Sequence, residues 1–274
     1  MVCNMMLETL LADLSSFSGD ITFTLLVFTV AFSTGVLSGL LGIGGGLMIV
    51  PALLGLPKLL ALPLMPVAQV TALSAAQGAM AGLSAFRQHR KGGFVLKAWV
   101  LPLAITSLLF PLAAAYFSVK LDAWVVKTLL GCVILSAFVM VWRRKPHQDA
   151  TQPPAWTWQK GGVMLTGSAA IGTLSGTLGV GGAFFMNPLL WTVGQLPLKY
   201  AIATGSALMA FTTFSTAVGK ALAGAMPWQV LPYALLGSFL GARLGGRWMS
   251  VWQPEHLKRL QLCVYVLALT LLFC

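Results

Sequence analysis

The feature that most limits what this chain can fold into is a series of apolar runs, several about 20 residues long, with charge confined to short clusters between them. About 20 helical residues at 1.5 Å rise cross a hydrocarbon core of roughly 30 Å. The runs fall at 21–41, 47–56, 64–86, 96–117 and 123–142, then at 161–182, 183–194, 199–224, 228–246 and 257–273. Only 8% of the residues are charged, against about 25% in a soluble domain. So few charges cannot coat a water-exposed globule. The expected fold is all-α and polytopic, with the lipid bilayer as its main partner.

The net charge of +11 would suggest nucleic acid on a soluble protein. Here the Lys and Arg residues sit between apolar runs, which is how membrane proteins fix their orientation. No nucleic-acid partner is expected. Cys3, Cys132, Cys263 and Cys274 form no C-x-x-C pair and lie near no His cluster, so neither a metal nor another cofactor is expected. Cys132 and Cys263 are read as small apolar packing residues. Residues 1–20 carry Glu8, Asp13 and Asp20 and no Lys or Arg, the reverse of a signal peptide's basic start.

The pattern of runs occurs twice. Ser38-Gly39-Leu40-Leu41-Gly42-Ile43-Gly44-Gly45 matches Ser175-Gly176-Thr177-Leu178-Gly179-Val180-Gly181-Gly182, and Pro51 matches Pro188 in the same register. Thr71 falls close to Thr204 once a small gap is allowed. Lys127–Val133 matches Lys258–Val264. Three anchors in one order imply duplication. The expected organisation is an N-terminal tail (1–20), a first transmembrane repeat (21–142), a cytoplasmic linker (143–160) and a second transmembrane repeat (161–274).

Charge orients the repeats. If each glycine stretch lies inside one continuous helix, the halves are parallel, and eight basic residues face nine across the membrane. If the chain turns back at the glycines, the halves are inverted, and thirteen face four. Only the second distribution follows the positive-inside rule. The expectation is two inverted-topology repeats. Each has about four to five membrane segments, including one glycine-broken re-entrant or short helix pair.

The breaks are also the candidate site. Irregular backbone is tolerated at membrane depth only where protein or a water-filled cavity covers it. A half-helix that starts after such a break aims N–H groups and a positive dipole end into the cavity. Two breaks meeting near the midplane would bind an anion without any buried cation. The expected substrate-binding residues are Gly42, Gly44, Gly45 and Gly46 with Gly179, Gly181 and Gly182, and Pro51 and Pro188 mark the broken helices. Polar residues lie in nearby runs (Gln69, Thr71, Ser74, Asn187, Thr204 and Ser206): a hydroxyl taken alone is expected to bond a carbonyl of its own helix, and the group facing the breaks is expected to add donors. Gln77, Thr212, Thr213 and Ser215 belong to the same polar set.

These paired stretches, Gly-Leu-Leu-Gly-Ile-Gly-Gly-Gly…Pro and Gly-Thr-Leu-Gly-Val-Gly-Gly…Pro, resemble the signature of the TauE/SafE sulfite exporter family. The resemblance covers both halves. It falls on Gly42, Gly44, Gly45 and Pro51, and on Gly179, Gly181, Gly182 and Pro188. Ala183 stands where the first half has Gly46, which suggests a less open second break. The resemblance implies export of sulfite or organosulfonates across a bacterial cytoplasmic membrane. An anion channel, or an importer of thiosulfate or a carboxylate, is the alternative on the same scaffold.

No carboxylate or His is expected in the membrane core. Glu8, Asp13, Asp20, Asp122, Asp149 and Glu255 fall in tails, loops or segment ends, and His89, His147 and His256 are read as loop residues. A membrane-embedded enzyme would need a nucleophile–base pair or a metal cluster there, so no enzyme is expected. Electrogenic anion export needs neither. Each negative charge leaving a negative interior gains roughly 2.3 kcal/mol per 100 mV.

Overall fold

The computed structural model describes residues 21–41, 46–60, 62–143, 154–249 and 251–273. These residues form ten helices and no strand. The first half holds α1 (Ile21–Leu41), α2 (Gly46–Leu59), α3 (Val67–Lys91), α4 (Lys97–Ser118) and α5 (Ala123–Arg143). The second holds α6 (Trp158–Leu178), α7 (Ala183–Thr192), α8 (Leu198–Leu222), α9 (Leu231–Met249) and α10 (Pro254–Phe273). Four helices are long and apolar enough to cross a membrane by length and composition: Thr22–Leu41, Lys97–Ser118, Ala123–Arg143 and Leu198–Leu222. On α4, Leu101, Ile105 and Leu109 form an exposed i, i+4 stripe. Such a stripe needs lipid rather than water.

The halves are intertwined. Helix α1 packs along α9 of the other half, and α4 along α6. Helix α3 packs on α8 and α9, and α8 on α3 and α4. Each major packing has a counterpart when α1–α5 are exchanged for α6–α10, and the α3–α8 and α5–α10 packings map onto themselves. That is a pseudo-two-fold arrangement. Its register is visible on α3 and α8, which begin after Pro66 and Pro197 and run 25 residues each. A Cβ on Gly78 would meet Thr213, and one on Gly82 would meet Met209 and Ala210. Equivalent positions in these helices lie 131 residues apart, so the two contacts are reciprocal. Thr204 therefore corresponds to Leu73 rather than to Thr71, because the helix-starting prolines, not the threonines, fix the register. The order of contacts also makes α3 and α8 antiparallel.

Small residues set the closest packings. Gly237, Gly241 and Gly245 lie one turn apart on α9, and a Cβ on any of them would strike the α1 backbone between Phe28 and Leu40. Gly35 and Gly39 answer from α1 against Ser238 and Ala242. This is small-residue packing, which replaces the missing hydrophobic drive between helices in lipid. In the mirrored α4–α6 pair, Thr106 Oγ1 donates to Ser168 Oγ at 2.9 Å, and Gly172 and Gly176 rest on Pro111. Cys132 and Cys263 are exposed rather than buried, on the outer faces of α5 and α10.

Candidate functional site

The second break is fully described. Helix α6 ends at Leu178, and Gly179 caps it with φ 70°, its N–H donating to the Ser175 carbonyl at 2.8 Å. Gly181 repeats the left-handed backbone at φ 70°. Any other L-residue there pays about 1–2 kcal/mol for that conformation. Space is denied as well: a Cβ on Gly179 would run into the Thr71 carbonyl, and one on Gly181 into the Thr213 methyl. The Gly182 N–H donates to Ser175 Oγ at 2.8 Å, and α7 begins at Ala183.

Helix α7 then runs back along α6. Gly182 faces Ile171, Leu189 lies on Gly167, and Gly194 meets Met164. The chain reverses at the glycines, as the charge pattern requires. With 10 residues, α7 is about 15 Å long, roughly half the hydrocarbon core. Alone it is too short to cross that core. Pro188 sits inside it and supplies no N–H for the Phe184 carbonyl one turn earlier. Tyr265 on α10 fills that gap, its hydroxyl donating to the Phe184 carbonyl at 3.2 Å while accepting from Gln261 Nε2 at 2.7 Å.

Of the first break, Gly42, Gly44 and Gly45 lie outside the described residues, but both flanks are placed. The Leu41 carbonyl, at the end of α1, accepts from Asn187 Nδ2 of α7 at 3.2 Å. Gly46, at the start of α2, lies on the second break: a Cβ there would be 2.8 Å from Val180 Cα and 2.6 Å from Ser74 Oγ. Ser74 Oγ in turn donates to the Gly179 carbonyl at 2.7 Å. The flanks of the two breaks are therefore in contact. Gly46 is excluded from carrying a side chain by Val180, whereas its counterpart Ala183 is accommodated and buried. Pro51 is buried within α2, as Pro188 is within α7.

Most of the neighbouring hydroxyls bond carbonyls of their own helices. Thr71 donates to the Ala68 carbonyl, Ser206 to Ile202, Thr212 to Leu208 and Thr213 to Met209. Their protons are committed to helix carbonyls, so they present lone pairs to a ligand rather than donors. Thr204 Oγ1 accepts from the Leu96 N–H at 3.3 Å and so holds the start of α4. Gln77 Nε2 reaches Thr34 on α1 at 3.4 Å. Ser215 donates to the Leu108 carbonyl of α4. Gln69 is half-buried in the first turn of α3.

Two basic residues near helix ends are buried. Lys220 stands in the last turn of α8. It is 1% exposed, and its Nζ donates to Ser118 Oγ at 2.9 Å and to the Thr177 carbonyl at 3.4 Å, beside the second break. A buried cation therefore lies next to the end of α6. His89 is not in a loop, where the sequence put it. It lies in the last turn of α3, 2% exposed, hydrogen-bonded to the Gly39 carbonyl near the end of α1. His256 is exposed at the start of α10, and Asp122 and Glu255 are exposed outside the helix interiors, as expected. His147 and Asp149 lie outside the described residues. A cleft of about 590 Å³ opens where α3 and α9 end, lined by Arg87, Arg90, Lys91 and Arg243 with Ser84 and Gln88.

Two five-helix halves, intertwined around backbone breaks whose described flanks touch and faced with exposed apolar side chains, define a multi-pass helical membrane protein of the transporter kind. The sequence agrees over almost its full length. The chain belongs to the family described as "Sulfite exporter TauE/SafE", whose signature matches residues 27–272. It is similar to a "Probable membrane transporter protein" of Haemophilus influenzae, 31% identical over 231 residues, covering 80% of this chain and 83% of the relative. A second "Probable membrane transporter protein" from Sinorhizobium is 28% identical over 269 residues, covering 92% and 94%. One from Bacillus subtilis is 25% identical over 243 residues, covering 85% and 94%. No solved structure matches the chain.

Proposed function

We propose that the protein is a secondary transporter or facilitator that exports small sulfur-containing anions, of the sulfite or organosulfonate type, across the cytoplasmic membrane of a bacterium. The observation that carries this reading is the contact between the breaks: Gly46 against Val180, with Ser74 bonded to the Gly179 carbonyl. Broken backbone at that depth exposes peptide dipoles, and a helix that begins there presents its positive end. The family description supports the choice of substrate class.

The halves have inverted topology in this reading. Its support is the antiparallel α3–α8 pair, whose contacts are reciprocal, together with the thirteen-to-four charge distribution. Arg87, Arg90, Lys91 and Arg243 then line a cytoplasmic mouth, where a positive cleft concentrates anions. The basic mouth and the paired breaks form one path, with no enzymatic step in it.

Export is electrogenic and driven by the membrane potential. The test is sulfite efflux from proteoliposomes under imposed potentials. Efflux should quicken as the interior is made negative, and a rate that ignores the potential would refute the electrogenic step. Purified protein that moves none of the sulfur oxyanions would refute the substrate class.

A further inference from the structure

Lys220 raises a problem that the breaks alone do not solve. Its ammonium has three N–H donors. Two meet neutral oxygens, Ser118 Oγ and the Thr177 carbonyl, the second at a long 3.4 Å. Among the described residues no carboxylate pairs with it. Removing a cation from water without a counter-charge costs far more than two neutral acceptors return. Retaining it is a steady penalty on the empty protein unless an anion visits.

Its position is duplicated. Lys220 on α8 and His89 on α3 lie 131 residues apart, the same interval that relates Gly78 to Met209 and Gly82 to Thr213. Each stands in the last turn of its helix, and each hydrogen-bonds a carbonyl shortly before a glycine break: Thr177 for Lys220, Gly39 for His89. His89 Nε2 is buried and has no partner. Because α3 and α8 are antiparallel, the two residues stand at opposite ends of that helix pair. A packing accident would not place a buried basic side chain at the same point in both halves.

We propose that Lys220 is a substrate-binding residue whose ammonium is the counter-charge of the anion at the second break, with His89 marking the equivalent polar station at the first. The proposal rests on the anion-transport reading above and adds to it the group that holds the charge. The anion supplies the full negative partner that Ser118 and Thr177 do not, through a charge-assisted hydrogen bond.

The experiment uses the full chain in detergent and in proteoliposomes, with sulfite as the probe and dimethyl sulfone as an uncharged control. Wild-type protein should be stabilised against heat by sulfite, not by the sulfone, and should pass sulfite. Lys220→Gln keeps hydrogen-bonding capacity without charge, Lys220→Met removes both, and Lys220→Arg keeps the charge. The Gln and Met variants should raise the half-saturating sulfite concentration by about tenfold or more, the loss of one charged hydrogen bond. Their ligand-free melting temperatures should not fall. The Arg variant should keep the sulfite response.

If wild-type protein neither binds nor passes any small sulfur oxyanion, the transport reading fails and this inference with it. If wild type responds and the Gln and Met variants respond at the same concentration, the inference alone is overturned. It is also overturned if those variants melt early or fail to fold while Arg folds and sulfite affinity in any soluble variant is unchanged. Lys220 would then be a helix latch.

Discussion

The Tyr265 hydroxyl donates to the Phe184 carbonyl, the acceptor that Pro188 leaves without its helical donor. A residue near the end of the chain thus repairs the short helix that follows the second break. The tyrosine is fully buried, so water cannot take its place. Tyr265→Phe should destabilise the protein by about 1–3 kcal/mol, the cost of a stranded buried acceptor. Thermal unfolding in detergent, followed by tryptophan fluorescence, measures it. An unchanged melting temperature would mean that the carbonyl finds another donor.

The break glycines should tolerate no side chain. Gly181→Leu combines a left-handed backbone penalty of about 1–2 kcal/mol with a collision at Thr213. Gly46→Leu drives a side chain between Val180 and Ser74. Both should abolish sulfite efflux. Gly93 is the control: its φ is also positive, at 75°, but nothing lies within 4 Å of a Cβ there. Gly93→Leu should transport normally, and if it fails as badly, backbone strain rather than the site explains the loss.

Topology has a direct test in two related turns. Gly93 follows α3 and Gly224 follows α8, at the 131-residue interval, with φ of 75° and 74° and open space around each. Inverted repeats put the two turns on opposite sides of the membrane. Single cysteines at these positions, in a chain without its four native cysteines, should react with an impermeant thiol reagent from opposite faces. Labelling of both from one face would establish parallel repeats.

The α1–α9 seam should be the least forgiving packing surface. A Cβ on Gly241 would run into the Phe32 carbonyl, and backbone cannot move aside as a side chain can. Gly241→Val should prevent accumulation of folded protein, as read by fluorescence-detected size exclusion. Normal yield would show that α1 and α9 can separate.

Much of the fold was legible in order along the chain. The apolar runs and the duplicated glycine stretches follow from composition and spacing, because each is a local property. The reversal at Gly179–Gly182 was legible too, since charge must satisfy the membrane along the whole chain. The polar residues were read less well. Thr71, Ser206, Thr212 and Thr213 read either as hydroxyls bonded to their own helices or as a group of anion donors, and each gives its proton to a carbonyl of its own helix. A sequence shows that a hydroxyl is present but not where its proton goes.

His89 and Lys220 show the same limit from the other side. Each stands where an apolar run ends, which reads as an interfacial position. Only the packing of α1 and α9 around α3, and of α4 and α6 around α8, closes water off from them. Burial is a property of neighbours brought from far along the chain, and no local pattern carries it. The sequence by itself determined a duplicated membrane protein with two broken helices. The tertiary structure decided that the flanks of the breaks touch, that Gly46 must be bare because Val180 lies against it, and that Lys220 loses its water without gaining a carboxylate among the described residues.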